Sequence, residues 1–268
     1  MDDGRLGEFQ QVQMSSFLTS YIATDVDKGY TYRFRYRVAN VNGHSPYSEV
    51  SYIYPFSVPD APAKPVFVSA TQESVTLSFT ESLDNNGVDI IGYELWIDEG
   101  DDTLSEFSKV DSYSGFQETH TLTKATDGLG DPGTIYRVKF RAVNEENDYS
   151  EFSNELIFAL GSLPTTPDPP TKIIEESSIE SIMVSWDEVT TDSLPILGYN
   201  LYADSGQKDT LKLVYNGKNR ASTTTYLFTA ADISDDTPTT LSSLLHYRFQ
   251  VTALNFNGES APSSIALI

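Results

Sequence analysis

Apolar and polar residues alternate with a period of two through much of this chain, and three segments carry the alternation most clearly. In Tyr32–Asn40, Tyr136–Asn144 and Tyr247–Asn255, an apolar or aromatic side chain falls at every second position. Each segment opens on Tyr-Arg and reaches Asn eight residues later. Successive residues of a strand point to opposite faces, so the pattern predicts a strand with one buried face, written three times. The copies lie about 100 to 110 residues apart, the length of a small domain and longer than the 20–50 residues of a solenoid repeat.

The rest of the chain repeats in the same order. Two proline-rich joints, Pro59-Asp60-Ala61-Pro62-Ala63-Lys64-Pro65 and Pro164-Thr165-Thr166-Pro167-Asp168-Pro169-Pro170, divide it. Proline fixes φ and favours extended backbone, so both read as short, semi-rigid connectors. After each joint comes an alternating strand that ends on a large aromatic, Ser74–Phe79 or Ser181–Trp186. A turn-rich stretch follows, Asp84–Gly87 or Thr191–Pro195, and then a strand with Gly-Tyr near its start, Ile91–Ile97 or Leu197–Ala203. An acidic turn, a Thr-rich strand, the repeated tyrosine strand and a closing strand (Ser153–Ala159, Ser263–Ile268) complete each unit. Seven short strands separated by turns predict a β-sandwich.

These residues resemble the fibronectin type III family. The resemblance rests on the aromatic ending the second strand (Phe79, Trp186), on Gly-Tyr opening the third, and on the repeated tyrosine strand. The turns Asn42-Gly43-His44-Ser45 and Asn257-Gly258-Glu259-Ser260 also match. The family often places Leu six residues before the tyrosine. Val26 and Leu241 hold that place, but the middle unit has Gly130 there and Leu129 one residue out, which implies a small insertion. The resemblance implies an all-β chain of tandem fibronectin type III (immunoglobulin-like) β-sandwiches, the first one incomplete. The expected units are 1–58 (the C-terminal part of a domain), 59–163 and 164–268. It also implies that the rings of Tyr32, Tyr136 and Tyr247 lie in the core, with each hydroxyl bonded to upstream backbone.

In the alignment of the first unit on the second, Met1-Asp2-Asp3-Gly4 falls beside Ile97-Asp98-Glu99-Gly100, and Glu8-Phe9 near Glu106-Phe107. The first three strands of that unit are therefore missing. The expectation is a segment of a longer repeat protein; the alternative is completion by strands of another chain.

Composition narrows the function classes. The net charge is −22, with 17 Lys+Arg against 39 Asp+Glu, which disfavours nucleic acid and anionic membrane surfaces. No Cys is present, so disulfides and thiolate metal sites are excluded. No run of 18 apolar residues spans a membrane. No Asn-x-Ser/Thr acceptor occurs, while the abundant Ser and Thr leave O-glycosylation open. His44, His120 and His246 are far apart in sequence, and neither a His-Glu-x-x-His nor a Gly-x-Ser-x-Gly pattern occurs. No catalytic, cofactor-binding or metal-ligating residue is therefore assigned, and no enzyme activity is expected. The acidic turns Asp84–Asp89, Asp98–Asp102 and Asp232–Asp236 offer carboxylates to calcium, but the spaced ligand set of a calcium loop is missing. Turn chemistry is their expected role and calcium the alternative. No Arg-Gly-Asp occurs for integrin binding.

The functional expectation is a non-catalytic structural or interaction protein, a rod or fibre subunit at the cell surface or outside the cell, meeting other copies of itself or other proteins. Its turns resemble repeats of large surface or secreted proteins of microbial eukaryotes. The alternatives are a receptor or an intracellular cytoskeletal scaffold that binds a protein partner through domain loops, and a spacer for a sugar-binding module. Of the two tryptophans, Trp186 is expected in the core; Trp96 fits either the core or an exposed face.

Overall fold

The computed structural model describes residues 1–12, 18–100, 106–191, 193–233, 241–242 and 244–268. The middle unit holds β5 (Val66–Ala70), β6 (Ser74–Ser78), β7 (Ile90–Ile97), β8 (Ser108–Lys109), β9 (Thr119–Thr123), β10 (Ile135–Asn144) and β11 (Leu156–Ala159). The first unit precedes it with β1 (Tyr32–Phe34), β2 (Ala39–Asn40), β3 (Gly43–His44) and β4 (Ser51–Ile53). The third follows with β12 (Thr171–Ile173), β13 (Ser181–Ser185), β14 (Gly198–Ala203), β15 (Lys212–Asn216), β16 (Thr225–Thr229), β17 (Arg248–Asn255), β18 (Gly258–Glu259) and β19 (Ala266–Leu267).

Two antiparallel sheets face each other in the middle unit, ordered β5-β6-β9 and β11-β10-β7-β8. The third unit repeats the plan with β12-β13-β16 opposite β15-β14-β17-β18, and β19 also pairs with β17. The pairing of β10 with β7 sets Phe140 beside Leu95 and Val138 beside Ile97. That of β17 with β14 sets Val251 beside Leu201. The predicted alternation is realised along β10, where Tyr136, Val138, Phe140 and Ala142 are buried and Arg137, Lys139 and Arg141 lie on the outer face. Val75, Leu77 and Leu122 meet them from the opposite sheet. Val184 and Phe228 meet Phe249 and Val251 in the third unit. Trp186 is core, as expected. The ring of Trp96 lies on the outer face, edge-on to Phe152 with centroids 5.8 Å apart.

Strand ends differ from the predicted ones for one repeated reason. Before each closing strand, two serines three residues apart bond side chain to backbone with the tyrosine strand. Ser150 Oγ accepts from Ala142 N–H at 2.9 Å and Ser153 Oγ from Phe140 N–H at 3.1 Å. Ser260 and Ser263 do the same for Ala253 and Val251, and Ser45 and Ser48 for Val38 and Tyr36. These hydroxyls take the place of a strand ladder, so β11 begins at Leu156 and β19 at Ala266. In the first unit the predicted strand 32–40 is interrupted between Phe34 and Ala39. Tyr36 and Val38 stand exposed, whereas Phe140 and Ala142 at the same positions of the middle unit are buried under the opposite sheet. Among its described residues the first unit has no such sheet.

Candidate functional site

The strand-opening Tyr-Arg pair is the centre of a clasp built three times. Each tyrosine ring is buried, and its hydroxyl accepts an upstream backbone N–H: Asp27 for Tyr32 (2.8 Å), Gly130 for Tyr136, and Ser242 for Tyr247 (2.9 Å). The donor lies five residues upstream in the outer units and six in the middle one, which is the extra residue implied by the Leu129/Gly130 offset.

The adjoining arginine is held by an aspartate whose pairing with it the sequence does not reveal. Asp98 accepts the Arg137 backbone N–H at 2.9 Å through one oxygen and its Nε at 2.7 Å through the other. Asp204 grips Arg248 at 2.8 and 2.6 Å, and Asp2 grips Arg33 at 2.9 and 2.6 Å. All three carboxylates are buried. Burial works against ionisation of Asp204, but the N–H groups and guanidinium of Arg248 outweigh it and hold its carboxyl below the ordinary range. Two residues on, each clasp has a glycine with φ near +75°: Gly4, Gly100 and Gly206. A Cβ at Gly100 would lie 2.6 Å from both the Tyr136 ring and the Thr134 methyl. The pattern Asp-x-Gly therefore locks the turn onto the edge of the tyrosine ring.

The joints are gripped by turns of the following unit. Between the first two units, Lys28 meets the Asp84 carboxylate and the Asn86 side-chain oxygen. Asn86 Nδ2 donates to the Val58 carbonyl (2.7 Å), Ser57 N–H donates to the Asn86 carbonyl (3.2 Å), and the Tyr54 hydroxyl donates to Glu146 (2.6 Å). Between the second and third, Asn257 acts as a missing strand residue. Its side chain accepts from Ala159 N–H (2.8 Å) and donates to the Ala159 and Gly161 carbonyls (both 2.7 Å). Asn255 Nδ2 reaches the Ser162 carbonyl (2.7 Å), and Ser162 N–H donates to Ser193 Oγ (2.9 Å). When the units are aligned on their serine pairs and strand-opening tyrosines, Tyr54 corresponds to Ala159, Glu146 to Asn257 and Ser57 to Ser162. Both joints are made at the same positions with different chemistry. Asn144, the counterpart of Asn255, is buried, and its amide nitrogen has no partner among the described residues.

Groups with catalytic residue types are committed elsewhere. Ser112 Oγ lies 2.9 Å from His120 Nε2 and donates to Asp127 at 2.5 Å. In a nucleophilic triad the histidine bridges serine and carboxylate. Here the serine is the bridge: its proton goes to Asp127, so Nε2 of a neutral His120 must donate to it and cannot act as base. Burial lowers the His120 pKa from its ordinary value of 6.5. Asp127 also caps the Thr123 N–H at 2.7 Å, which marks the trio as the lock on a strand end. His44 and His246 are exposed and belong to the other two units. In the turn Asp84–Asp89, Asp84 Oδ1 accepts from Asn86 N–H and Asn85 Oδ1 from Gly87 N–H, while the Asn85 amide donates to Asp89. Those side chains serve the turn and the joint. Asp232 caps Thr229 and accepts from Tyr226. Asp101, Asp102, Asp192, Asp235 and Asp236 lie outside the described residues. Among the described residues no three His, Asp or Glu side chains converge as a metal site.

No protein-family model matches the chain. It is 28% identical over 272 residues to a protein of Mus musculus named fibronectin type III domain containing protein 3C1; the match covers 97% of this chain and 18% of that protein. It is 29% identical over 211 residues to fibronectin type-III domain-containing protein 3a of Gallus gallus, covering 76% of this chain and 15% of that one. The crystal structure of chicken CNTN1 FN1–FN3 domains aligns with a TM-score of 0.43 at 20% identity, covering 90% of this chain and 77% of that structure. These are tandem fibronectin type III domains. The chain spans less than a fifth of the length of the two curated relatives.

On the outer face of the fibronectin type III domains, cations and aromatic rings alternate. In the middle domain the Lys139 ammonium sits 3.9 Å from the Phe107 ring centre and 4.4 Å from that of Phe152. The Arg141 guanidinium lies 3.8 Å over Tyr149 and 5.4 Å from Trp96. Glu94 gathers Arg141 (2.9 Å), Lys109 (2.8 Å) and Trp96 Nε1 (3.3 Å). Burial raises the Glu94 pKa, but the bonds from Lys109 and Arg141 outweigh it and hold the carboxyl low. The first domain repeats the arrangement, with Arg35 4.1 Å from the ring centres of both Phe9 and Tyr47, and Arg37 4.8 Å from Tyr47. The third domain has Gln250 and Thr252 at these places. Strand alternation placed the cations of the middle domain on one face, but no local signal announced the rings, which apart from Trp96 come from the connections between strands.

Proposed function

We propose that this segment is a non-catalytic spacer whose domains are held in a set orientation, a rod or fibre element of a larger protein at the cell surface or outside the cell. The observation that carries this reading is the repetition of the joint. In both joints, the turns before the third strand and after the tyrosine strand grip the last residues of the preceding domain at matching positions. A joint that recurs at the same positions relates successive domains by nearly the same rotation, and such a head-to-tail relation extends an array in one direction. Proline at Pro59 and Pro164 limits the freedom left to the connector. The surface location rests on the resemblance of the turns to those of surface repeats. The corresponding partners are other copies of the chain meeting head to tail, or other proteins.

Small-angle scattering of the chain and of its Asn257→Ala variant tests the spacer. The variant removes three hydrogen bonds to the Ala159–Gly161 backbone, worth about 0.5–1.5 kcal/mol each. Its scattering is expected to broaden toward a wide distribution of lengths while each domain stays folded. Identical length distributions for the two proteins would count against a set joint.

A further inference from the structure

In a chain of net charge −22, cations are concentrated on two tyrosine segments, and beyond the clasp arginine of each the fold does not require them. Arg137, Lys139 and Arg141 alternate along the outer face of the middle tyrosine strand, and Arg33, Arg35 and Arg37 recur at the same sequence spacing in the first unit, where that stretch is paired as strand only over Tyr32–Phe34. Arg33 is held by Asp2, Arg137 by Asp98 and Arg141 by Glu94. Arg35, Arg37 and Lys139 have no carboxylate within ion-pair distance among the described residues; their neighbours are the rings of Phe9, Tyr47, Phe107 and Phe152. The third domain builds the same strand with Gln250 and Thr252, so neither the strand nor the clasp at its head needs the ladder.

We propose that this cation–aromatic face binds an extended acidic segment of a partner protein, with carboxylates at alternate positions. Three physical points lead there. Side chains two apart on a strand stand about 7 Å apart, and an extended peptide presents its alternate side chains at the same interval. A cation already fixed between two rings has lost much of its rotamer freedom and part of its hydration, so capturing a carboxylate costs less than at a mobile surface lysine. The strip is narrow and the surrounding protein acidic. A short segment with a few aligned carboxylates gains the local attraction, whereas a long polyanion would run onto like charge beyond it.

The test is a chemical-shift titration of the full chain with a capped peptide of alternating Glu and Thr. Parallel titrations use the same composition with its glutamates contiguous, and dextran sulfate. The alternating peptide is expected to move the Arg35, Arg37 and Lys139 signals and to bind more tightly than the contiguous one, with affinity falling as salt is raised. Lys139→Gln, which copies Gln250 of the third domain, is expected to weaken the response within the middle domain about tenfold with melting unchanged. Equal response to the two peptides, an unaltered response in Lys139→Gln, no shift with either peptide, or binding of dextran sulfate alone would each overturn the proposal.

Discussion

The Tyr136 hydroxyl shows how one atom serves a whole domain end. Its ring is core, and its oxygen is the acceptor for Gly130 N–H. Tyr136→Phe keeps the packing and leaves that donor unpaired, so the middle domain is expected to lose about 1–2 kcal/mol in denaturant unfolding. Asp204→Asn strands a partly buried arginine, and a loss of about 2–3 kcal/mol is expected in the third domain after allowance for the exposure of Arg248. The clasp also sets a pH dependence. The folded-state pKa of Asp204 lies below its ordinary value of 3.8, so its ionised form stabilises the fold above that pH. That contribution is lost as pH falls from about 4 downward. His120 acts in the same direction in another window. Its folded-state pKa lies below 6.5, so the unfolded chain binds the proton more readily and stability falls as pH drops below that value. The chain carries one tryptophan in each complete domain, Trp96 and Trp186, so fluorescence of single-tryptophan variants separates the two. Between pH 6.5 and 5 the Trp96 transition is expected to move to lower temperature, and His120→Gln is expected to flatten that slope. An unchanged Trp96 transition would contradict the neutral, serine-bonded histidine.

At the scale of elements, the turn after the third strand is tied to the tyrosine strand by Asp-x-Gly. Gly100→Ala must adopt φ +72° and place a methyl against Tyr136 and Thr134. About 2–3 kcal/mol of destabilisation is expected from strain plus overpacking. Gly128→Ala, with φ +69° and open space around it, isolates the conformational part alone and is expected to cost about 1 kcal/mol. Equal losses at the two glycines would refute the ring contact. Much of this level is legible in sequence: the alternation of Tyr136–Asn144 gives both the strand and its buried face, and Ser74–Phe79 its partner across the core. Asp98 and Arg137 were each visible, yet their pairing was not. The aspartate precedes its arginine by 31, 39 and 44 residues in the three copies, because the connection between the two strands changes length. Tyr36 and Val38 follow the alternation yet lie exposed outside any strand, because alternation reports a face suited to burial and says nothing of whether a second sheet covers it. The ring ladder was hidden for the opposite reason: Phe107 lies before β8 and Tyr149 and Phe152 lie between β10 and β11, and the two stretches converge only after pairing.

At the scale of the whole chain, the proline-rich joints were readable and their grip was not. Asn257 reaches Ala159 across 98 residues and bonds to main-chain atoms, which leave no residue signature at the receiving end. The two joints are not equal. The second bonds the Asn255 and Asn257 side chains to backbone, whereas the first relies on exposed contacts such as Lys28–Asp84 and leaves Asn144 Nδ2 without a partner among the described residues. Exposed ion pairs contribute little and weaken with salt. The first joint is therefore expected to loosen between low and high ionic strength while the second holds, which spin-label distances across each joint would report. The central claim, that neighbouring domains keep a set orientation, is tested most directly by residual dipolar couplings measured for both complete domains in one alignment medium. The account requires a single alignment tensor to fit 59–163 and 164–268 together; tensors of clearly different magnitude for the two domains would mean that they reorient independently, and would contradict it.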